Sequence, residues 1–188
     1  MSRKRRTSAR ERLLKAALTL FAERGQRASV EEIARQAQVA KGTIYYHFGS
    51  KRRLLQQALE AELERLAPSS SGASADPLEE LRAVIEGLIQ WAINRPERLR
   101  ALLLAGQPGS GLTAETGYQL RDRVLRLFQR ALALAQAAKL ITHPAPSELI
   151  AVALFGALVH TLEYWQRQGR PINPYQLSTA FLNFILRR

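Results

Sequence analysis

The stretch that decides the fold runs from Ala28 to Lys51 and reads ASVEEIARQAQVAKGTIYYHFGSK. Ser29 and Glu32 form a capping-box pattern, which favours the start of a short helix. After a turn at 38–40, a second short helix is predicted over Lys41–Phe48 from the spacing of its apolar residues. Two short helices joined by a tight turn are the elements of a helix-turn-helix. The residues predicted to face inward are Val30, Ile33, Ala34, Ala37, Val39, Ile44 and Phe48.

The outer face of the second short helix carries side chains suited to DNA. Lys41 near the helix start can reach a guanine edge or a phosphate, and Thr43 offers a hydroxyl and a methyl group for a phosphate or a thymine. Gly42 costs the helix about 1 kcal/mol relative to Ala, which close approach of DNA would explain. Tyr46 and Lys51 are long donors that favour phosphate contact. The candidate DNA-contacting residues are Ser29, Lys41, Gly42, Thr43, Tyr45, Tyr46, His47, Lys51 and Arg52.

The aromatic residues of this helix have an alternative interpretation. Tyr45, Tyr46 and Phe48 can instead form one aromatic edge of the core. We prefer that interpretation for Phe48, and phosphate contact for Tyr46.

The positive charge is concentrated at the start of the chain. The 188 residues include 28 Lys+Arg and 16 Asp+Glu, a formal net charge of +12. Residues 1–53 hold 14 of the basic and four of the acidic side chains, so a balance of +10 lies there. A confined positive field is typical of a polyanion-binding module, because Lys and Arg neutralise phosphates and release counterions. A solvated basic surface is the alternative, above all for the basic arm at residues 3–6.

The chain as a whole is predicted to be all-α. A basic arm and an N-terminal three-helix helix-turn-helix domain occupy residues 1–53, and a connecting helix covers 51–66. A linker or loop rich in Ser and Ala follows at 67–77, and a larger helical domain at 78–188. No alternating strand pattern occurs in the sequence. The helices predicted in the larger domain span 78–94, 97–104, 113–139, 146–166 and 174–186.

The first helix of the N-terminal domain is expected over residues 10–24. Ser8 and Glu11 form a second capping box, and Gly25 favours a C-terminal cap. Ser50 is placed to cap the connecting helix. The expected inward stripe of the first helix is Leu14, Ala17, Leu18 and Phe21.

The run from Ala28 to Lys51 closely resembles the DNA-binding domain of the tetracycline-repressor (TetR/AcrR) family, and residues 16–25 resemble that family's first helix and its terminating glycine. The resemblance covers about residues 8–66. It implies a homodimeric transcription regulator whose two recognition helices reach successive major grooves of a palindromic double-stranded DNA operator. It also implies a second domain that dimerises and binds an effector, here a small apolar or amphipathic molecule. We interpret the protein as a repressor; an activator, or a regulator controlled by a protein partner or acting without effector, is the alternative.

Two positions depart from the family's pattern. Ala40 stands where the family usually has Ser or Thr, so the recognition helix is expected to lack a side-chain N-cap. Arg52 and Arg53 replace acids that are common after the Ser-Lys pair. They add positive charge for backbone contacts, although Arg at a helix start opposes the helix dipole.

The larger domain offers residues for a dimer interface and for a pocket. A stripe of small residues in the predicted helix 146–166 permits close approach of another helix, and the last helix has an apolar face. Packing of both stripes inside one monomer is the alternative. The candidate interface residues are Ala153, Gly156, Ala157, His160, Leu177, Phe181 and Phe184.

Aromatic residues with polar tips are the candidates for an effector pocket, although plain core packing explains each of them as well. They are Trp91, Tyr118, Phe128, Phe155, Tyr164 and Trp165.

Other chemistries are disfavoured. With no Cys, the sequence excludes disulfides, thiolate nucleophiles and Cys-ligated metals. Residues 106–113 imitate a phosphate-binding loop, but Leu112 occupies the lysine position and no strand precedes it, so an interhelical loop is expected. His160 and Glu163 are too few for a metal site. We therefore expect no enzyme activity, no cofactor and no bound metal.

The longest apolar stretch, Leu149–Leu162, is shorter than the roughly 17–25 residues that a membrane-spanning helix needs. A buried helix is expected there. The basic start of the chain is followed by a polar segment and not by the apolar core of a signal peptide. We therefore expect a cytoplasmic protein with no membrane partner.

Overall fold

The computed structural model describes residues 7–66, 76–169 and 171–186, and in those residues every regular element is helical. The all-α prediction is confirmed for this part of the chain. The basic arm at 3–6 and most of the predicted linker at 67–77 lie outside the described residues. The helices are α1 (Ala9–Arg24), α2 (Val30–Gln36), α3 (Lys41–Phe48), α4 (Lys51–Glu64), α5 (Pro77–Asn94), α6 (Pro96–Leu104), α7 (Ala114–Ala137), α8 (Ser147–Arg167) and α9 (Pro174–Leu186), with a 3-10 turn at Gly25–Arg27.

The chain divides into two compact units, each of which is made of two separate stretches of the sequence. The first unit comprises Met1–Glu62 and Arg100–Leu120, and the second comprises Leu63–Leu99 and Arg121–Arg188. The sequence places a boundary in the linker at 67–77. It gives no sign that a later stretch, the end of α6 and the start of α7, groups with the N-terminal helices.

Helix α1 begins and ends as its sequence predicts. The Ser8 hydroxyl accepts a hydrogen bond from the Glu11 amide at 3.1 Å, and the Glu11 carboxylate accepts one from the Ser8 amide at 2.8 Å. Gly25, at φ +57°, ends the helix in a conformation that favours glycine. The expected inward stripe is wrong at one position: Leu14 is only half-buried, whereas the neighbouring Leu13 is fully buried in the core.

The helix-turn-helix forms where it is predicted. The second capping box is confirmed, because the Ser29 hydroxyl accepts from the Glu32 amide at 3.1 Å and Glu32 accepts from the Ser29 amide at 2.8 Å. Ala40 provides no side-chain cap for α3, as expected. The Ser50 hydroxyl accepts from the Arg53 amide at 3.2 Å at the start of α4. The core residues that hold the three helices together include Leu13, Phe21, Ile33, Ile44 and Phe48.

The turn between α2 and α3 stores strain at Gln38, whose φ is +54° and whose side chain is exposed. This left-handed conformation costs a residue with a Cβ about 1–2 kcal/mol. We expect Gln38→Gly to raise the free energy of unfolding by about 0.5–1 kcal/mol, because the flexibility of glycine in the unfolded chain offsets part of the gain. Urea unfolding measures the change. Gln36→Gly, at the last residue of α2, is the control and should lower stability, by at most about 1 kcal/mol; equal changes in stability at both positions would contradict the strain at Gln38.

The loop between α6 and α7 packs inside the first unit. The Gly109 carbonyl oxygen accepts a hydrogen bond from the Gln26 amide at 3.3 Å. Ser110 and Leu112 are buried, and the Ser110 hydroxyl accepts from the Leu112 amide at 3.2 Å. The predicted interhelical loop is confirmed. Leu112 anchors it in the core at the position where a phosphate-binding loop carries its lysine.

In the second unit, α5 packs against α8 and α9. The Ser178 hydroxyl of α9 donates to Glu86 of α5 at 2.7 Å. The Gln166 side-chain amide of α8 donates to the Ala92 carbonyl of α5 at 3.1 Å. These hydrogen bonds fix the register of the three helices, since a shift of one turn would break both.

Helix α8 is buried on one face only, so the expectation of a buried helix needs correction. Leu154 and Leu158 are buried, whereas Leu149 and Val152 are exposed. By length and composition α8 could also cross a membrane, and 39% of its most apolar 18-residue stretch is buried inside the protein. One such helix is weak evidence for a membrane, because the core helices of soluble proteins have the same composition.

Candidate nucleic-acid interface

Helix α3 presents a polar and aromatic face to solvent. Lys41, Tyr45, Tyr46 and His47 are exposed, with Tyr46 at 85%, while Thr43 is half-buried. Phe48 points the other way and is 3% exposed, which confirms its place in the core. The Tyr46 and His47 rings meet edge to face with their centroids 5.0 Å apart. The face therefore carries hydroxyl, imidazole and ammonium donors, as a phosphate-contacting and base-contacting surface requires.

The start of α3 is unusually bare. A Cβ added at Gly42 would meet no heavy atom within 4 Å, so packing inside the chain does not require glycine there. Ala40 adds no side-chain cap. The first turn of the helix is thus open to a group that approaches the backbone closely, and the positive end of the helix dipole favours an anion there.

Lys41 is paired with an acid of the preceding helix. Its Nζ lies 2.5 Å from Oε1 of Glu31, and both side chains are more than half exposed. The hydrogen bond between them lowers the pKa of Glu31 and raises the pKa of Lys41. Both groups are therefore ionised at neutral pH, and the pair is electrically neutral.

Lys51, the first residue of α4, is held by the 3-10 turn after α1. Its Nζ donates to the Gln26 carbonyl oxygen at 2.6 Å. Partial burial lowers the pKa of Lys51. Gln26 also joins Lys51 to the α6–α7 loop, because its own backbone amide donates to the Gly109 carbonyl oxygen.

The remaining candidates of this face differ in their surroundings. The Ser29 hydroxyl is half-buried and occupied by the cap of α2. Arg52 is exposed in the first turn of α4.

Two residues were not predicted as part of this surface, Glu31 and Gln26. Glu31 is ten positions from Lys41 and lies on a different helix, so no helical spacing connects them. Gln26 acts through its backbone, which residue type does not reveal. A pair of acids at the start of α2, where one suffices for the capping box, is the only signal in the sequence.

The predicted pocket residues of the second unit are not brought together as one set. Phe128 and Phe155 are buried and pack with their ring centroids 6.2 Å apart. Trp91 is buried, with the Arg98 guanidinium 6.0 Å from its ring centroid. Trp165 lines a groove of about 560 Å³ at the junction of α8 and α9.

Two further pocket candidates are exposed, Tyr164 of the second unit and Tyr118, which belongs to the first unit.

Most of the predicted dimer residues form one exposed face of α8 and α9. The stripe on α8 is entirely exposed, and Phe184 of α9 is 83% exposed. A second groove, of about 320 Å³ and almost wholly apolar, lies along this face and includes Ala153, Ala157 and Phe181. Leu177 is different, because it is buried inside its own unit. The exposed stripe residues are Ala153, Gly156, Ala157 and His160.

The described residues hold no cluster of three or more His, Asp or Glu side chains that could bind a metal. His160 is exposed and lies 3.9 Å from the half-buried Glu163, and Arg167 also contacts Glu163 at 3.0 Å. The carboxylate thus has an ordinary salt bridge on the surface of α8.

Comparison with known proteins identifies both parts of the chain. Residues 13–58 match the family described as bacterial regulatory proteins, tetR family, and residues 74–188 match the tetracyclin repressor-like C-terminal domain. The transcriptional activator FasR of Mycolicibacterium smegmatis is 28% identical over 176 residues, covering 89% of this chain and 77% of FasR. The transcriptional repressor KstR of Rhodococcus jostii is 30% identical over 125 residues, covering 65% of this chain and 59% of KstR.

A solved structure shares the fold. The fatty acid degradation regulator FadR from Bacillus halodurans superposes with a TM-score of 0.78 at 20% identity, over 93% of this chain and 96% of FadR. The two family matches together cover the helix-turn-helix and most of the second unit. The chain therefore belongs to the tetR family of DNA-binding transcription regulators.

Proposed function

We propose that the protein is a homodimeric one-component repressor that binds a palindromic DNA operator and leaves it when a small apolar or amphipathic effector binds. The observation that carries the DNA-binding part is the exposed face of α3, with its cation, hydroxyls and open first turn. No cofactor or catalysis enters this function. We place the protein in the cytoplasm, where the operator is, with no membrane partner.

Dimerisation rests on the exposed apolar face of α8 and α9. Leu149, Val152 and Phe184 are exposed to water on this face. Covering it favours association, since each Å² of apolar surface that is removed from water contributes about 25 cal/mol. A second copy that brings the same face covers it by two-fold symmetry. Two recognition helices, spaced by roughly 34 Å, then read two half-sites. The small side chains of the α8 stripe allow the helices to approach closely.

The effector response rests on a physical link inside the first unit. Helix α7 begins in the first unit and continues into the second, and the loop before it bonds to Gln26, which accepts from Lys51. A ligand that prefers one position of α7 thereby changes the position of the Lys51 ammonium group. Operator affinity then falls by the factor by which the ligand prefers this state of the protein over the DNA-binding state. The proposed aromatic contacts of the effector are the Phe128–Phe155 pair, which joins α7 to α8, or, as a separate site, Trp165 in the groove at the junction of α8 and α9.

Selection of bound duplexes from random sequence, with the full-length protein, tests the operator proposal. We expect an inverted repeat with half-site centres 10–11 base pairs apart or a multiple of that spacing, as about one helical turn requires. A single asymmetric half-site would contradict the dimeric arrangement. A transcription assay on the selected operator then shows whether the protein represses or activates. The two relatives differ in this respect, since FasR is an activator and KstR a repressor.

Saturated fatty acids of graded chain length are suitable probes for the effector proposal, because they are amphipathic and differ only in apolar area. The proposal is supported if longer fatty acids release the protein from the selected operator at lower concentrations. If neither the fatty acids nor neutral apolar compounds change operator affinity, the effector proposal is wrong. A regulator that is controlled by a protein partner, or that acts without an effector, is then the explanation.

Tyr46→Phe is expected to weaken binding to all duplexes alike, by about 1 kcal/mol or fivefold per protomer, because it removes from each protomer one phosphate hydrogen bond that carries no sequence information. Thr43→Val keeps the shape of the side chain and should instead change the preferred base at one position of each half-site. Affinity measured on the selected operator and on single-base variants distinguishes the two. A uniform loss for both variants would contradict the placement of α3 in the major groove.

A further inference from the structure

The ammonium group of Lys41 is already occupied in the free protein. Its Nζ lies 2.5 Å from the Glu31 carboxylate, across the interface of α2 and α3. A cation in the first turn of a helix opposes the helix dipole, and Ala40 supplies no cap that would offset it. Glu31 therefore fixes the long Lys41 side chain and neutralises it on the face that meets DNA.

The helix cap does not require Glu31. The neighbouring Glu32 makes the capping box with Ser29 and also pairs with Arg24, so the acid that shapes α2 is already present. Side chains of Lys41 and Glu31 are 54% and 62% exposed, and an ion pair in that setting adds little to folding stability. The pair is thus an element of the surface and not of the core.

An ammonium group has three N–H donors. One donor held by Glu31 leaves two, which match the O6 and N7 acceptors of a single guanine in the major groove. A neutral pair gains little from a phosphate, because the attraction of the cation is cancelled by the repulsion of the acid. Recognition by Lys41 then depends on hydrogen-bond geometry instead of net charge.

We propose that Glu31 is a specificity-determining residue, which positions Lys41 for a guanine edge of the operator and keeps it off the phosphates of other DNA. This inference rests on the proposed DNA-binding function. It deepens that function by assigning a G·C pair within each half-site to the Lys41–Glu31 pair.

Glu31→Gln tests the assignment on the full-length protein, with a 30-base-pair duplex of random sequence and the selected operator as probes. On the random duplex, the freed Lys41 adds one phosphate contact per protomer. The slope of log K against log salt should steepen by about 0.9 per protomer, and affinity at 0.15 M salt should rise about fivefold per protomer. Operator affinity should rise by less, so discrimination between the two duplexes falls, and guanine preference in a repeated selection weakens.

Two further variants identify the cause. Glu23→Gln makes the same change in charge on α1 and should leave the slope nearly unchanged. Glu31→Gln combined with Lys41→Met should remove the gain, because the cation responsible is gone. If the double variant keeps the gain, Glu31 acts by repelling DNA directly and the role of Lys41 is refuted; a slope equal to that of Glu23→Gln refutes the proposal as well. Absence of salt-dependent binding by the unmodified protein would instead overturn the proposed function itself.

Discussion

Replacing Gly156 with Leu is expected to split the proposed dimer and to lower operator affinity about 100-fold or more, because the two half-sites are then no longer bound by one linked molecule. Gly156 lies in the exposed stripe of α8, and a Cβ there would meet no heavy atom within 4 Å of its own chain. A leucine side chain holds a second helix away from this stripe. The fold of the protomer should survive, since Leu is a better helix former than Gly by roughly 0.5–1 kcal/mol.

Sedimentation equilibrium and titration of the operator measure the two effects on the same samples. Gly87→Leu is the matched control, because Gly87 is also inside a helix and also has open space at its Cβ. It should leave assembly and affinity unchanged. A Gly156→Leu variant that still sediments as the dimer would show that the α8–α9 face is not the interface, and the exposed apolar residues would then need another partner.

The local structure was largely predictable because its signals lie within four residues. Ser8 with Glu11 and Ser29 with Glu32 define two helix starts, and both capping boxes are present. In α3, the four-residue spacing of Ile44 and Phe48 separates the buried face from the exposed one. The same rule fails at Leu13 and Leu14. Two overlapping apolar stripes fit α1, and only the packing of the other helices decides between them.

Features that depend on a partner or on distant residues were not predictable. The apolar side chains of α8 look alike in sequence, yet Leu154 is buried by the chain itself and Leu149 is left in water. The bond between Gln26 and Gly109 joins backbone groups 83 positions apart, and no side-chain pattern encodes it. Lys41 was expected on the DNA-contacting surface, but its pairing with Glu31 depends on the angle between two helices.

Gly117→Ala should be among the most destabilising single changes in the first unit. An added Cβ would lie 2.3 Å from the Ala105 carbonyl oxygen and 2.6 Å from Cα of Gly106, both of them backbone atoms that cannot rotate away. Helix α7 would have to move away from the end of α6, which also displaces the loop that bonds Gln26. Overpacking of this kind costs about 1–3 kcal/mol or more, which exceeds the roughly 1 kcal/mol that Ala gains over Gly in a helix.

Urea unfolding followed by circular dichroism and by tryptophan fluorescence localises this effect. Both tryptophans of the chain, Trp91 and Trp165, belong to the second unit, so their fluorescence reports that unit while circular dichroism reports both. For Gly117→Ala, the circular dichroism transition should begin at lower urea than the fluorescence transition. Gly87→Ala serves as the reference and should stabilise by about 1 kcal/mol, since its Cβ enters open space. A Gly117→Ala protein as stable as the unmodified one would mean that α6 and α7 can separate at no cost, and the path from α7 through Gly109 to Lys51 could not transmit an effector signal.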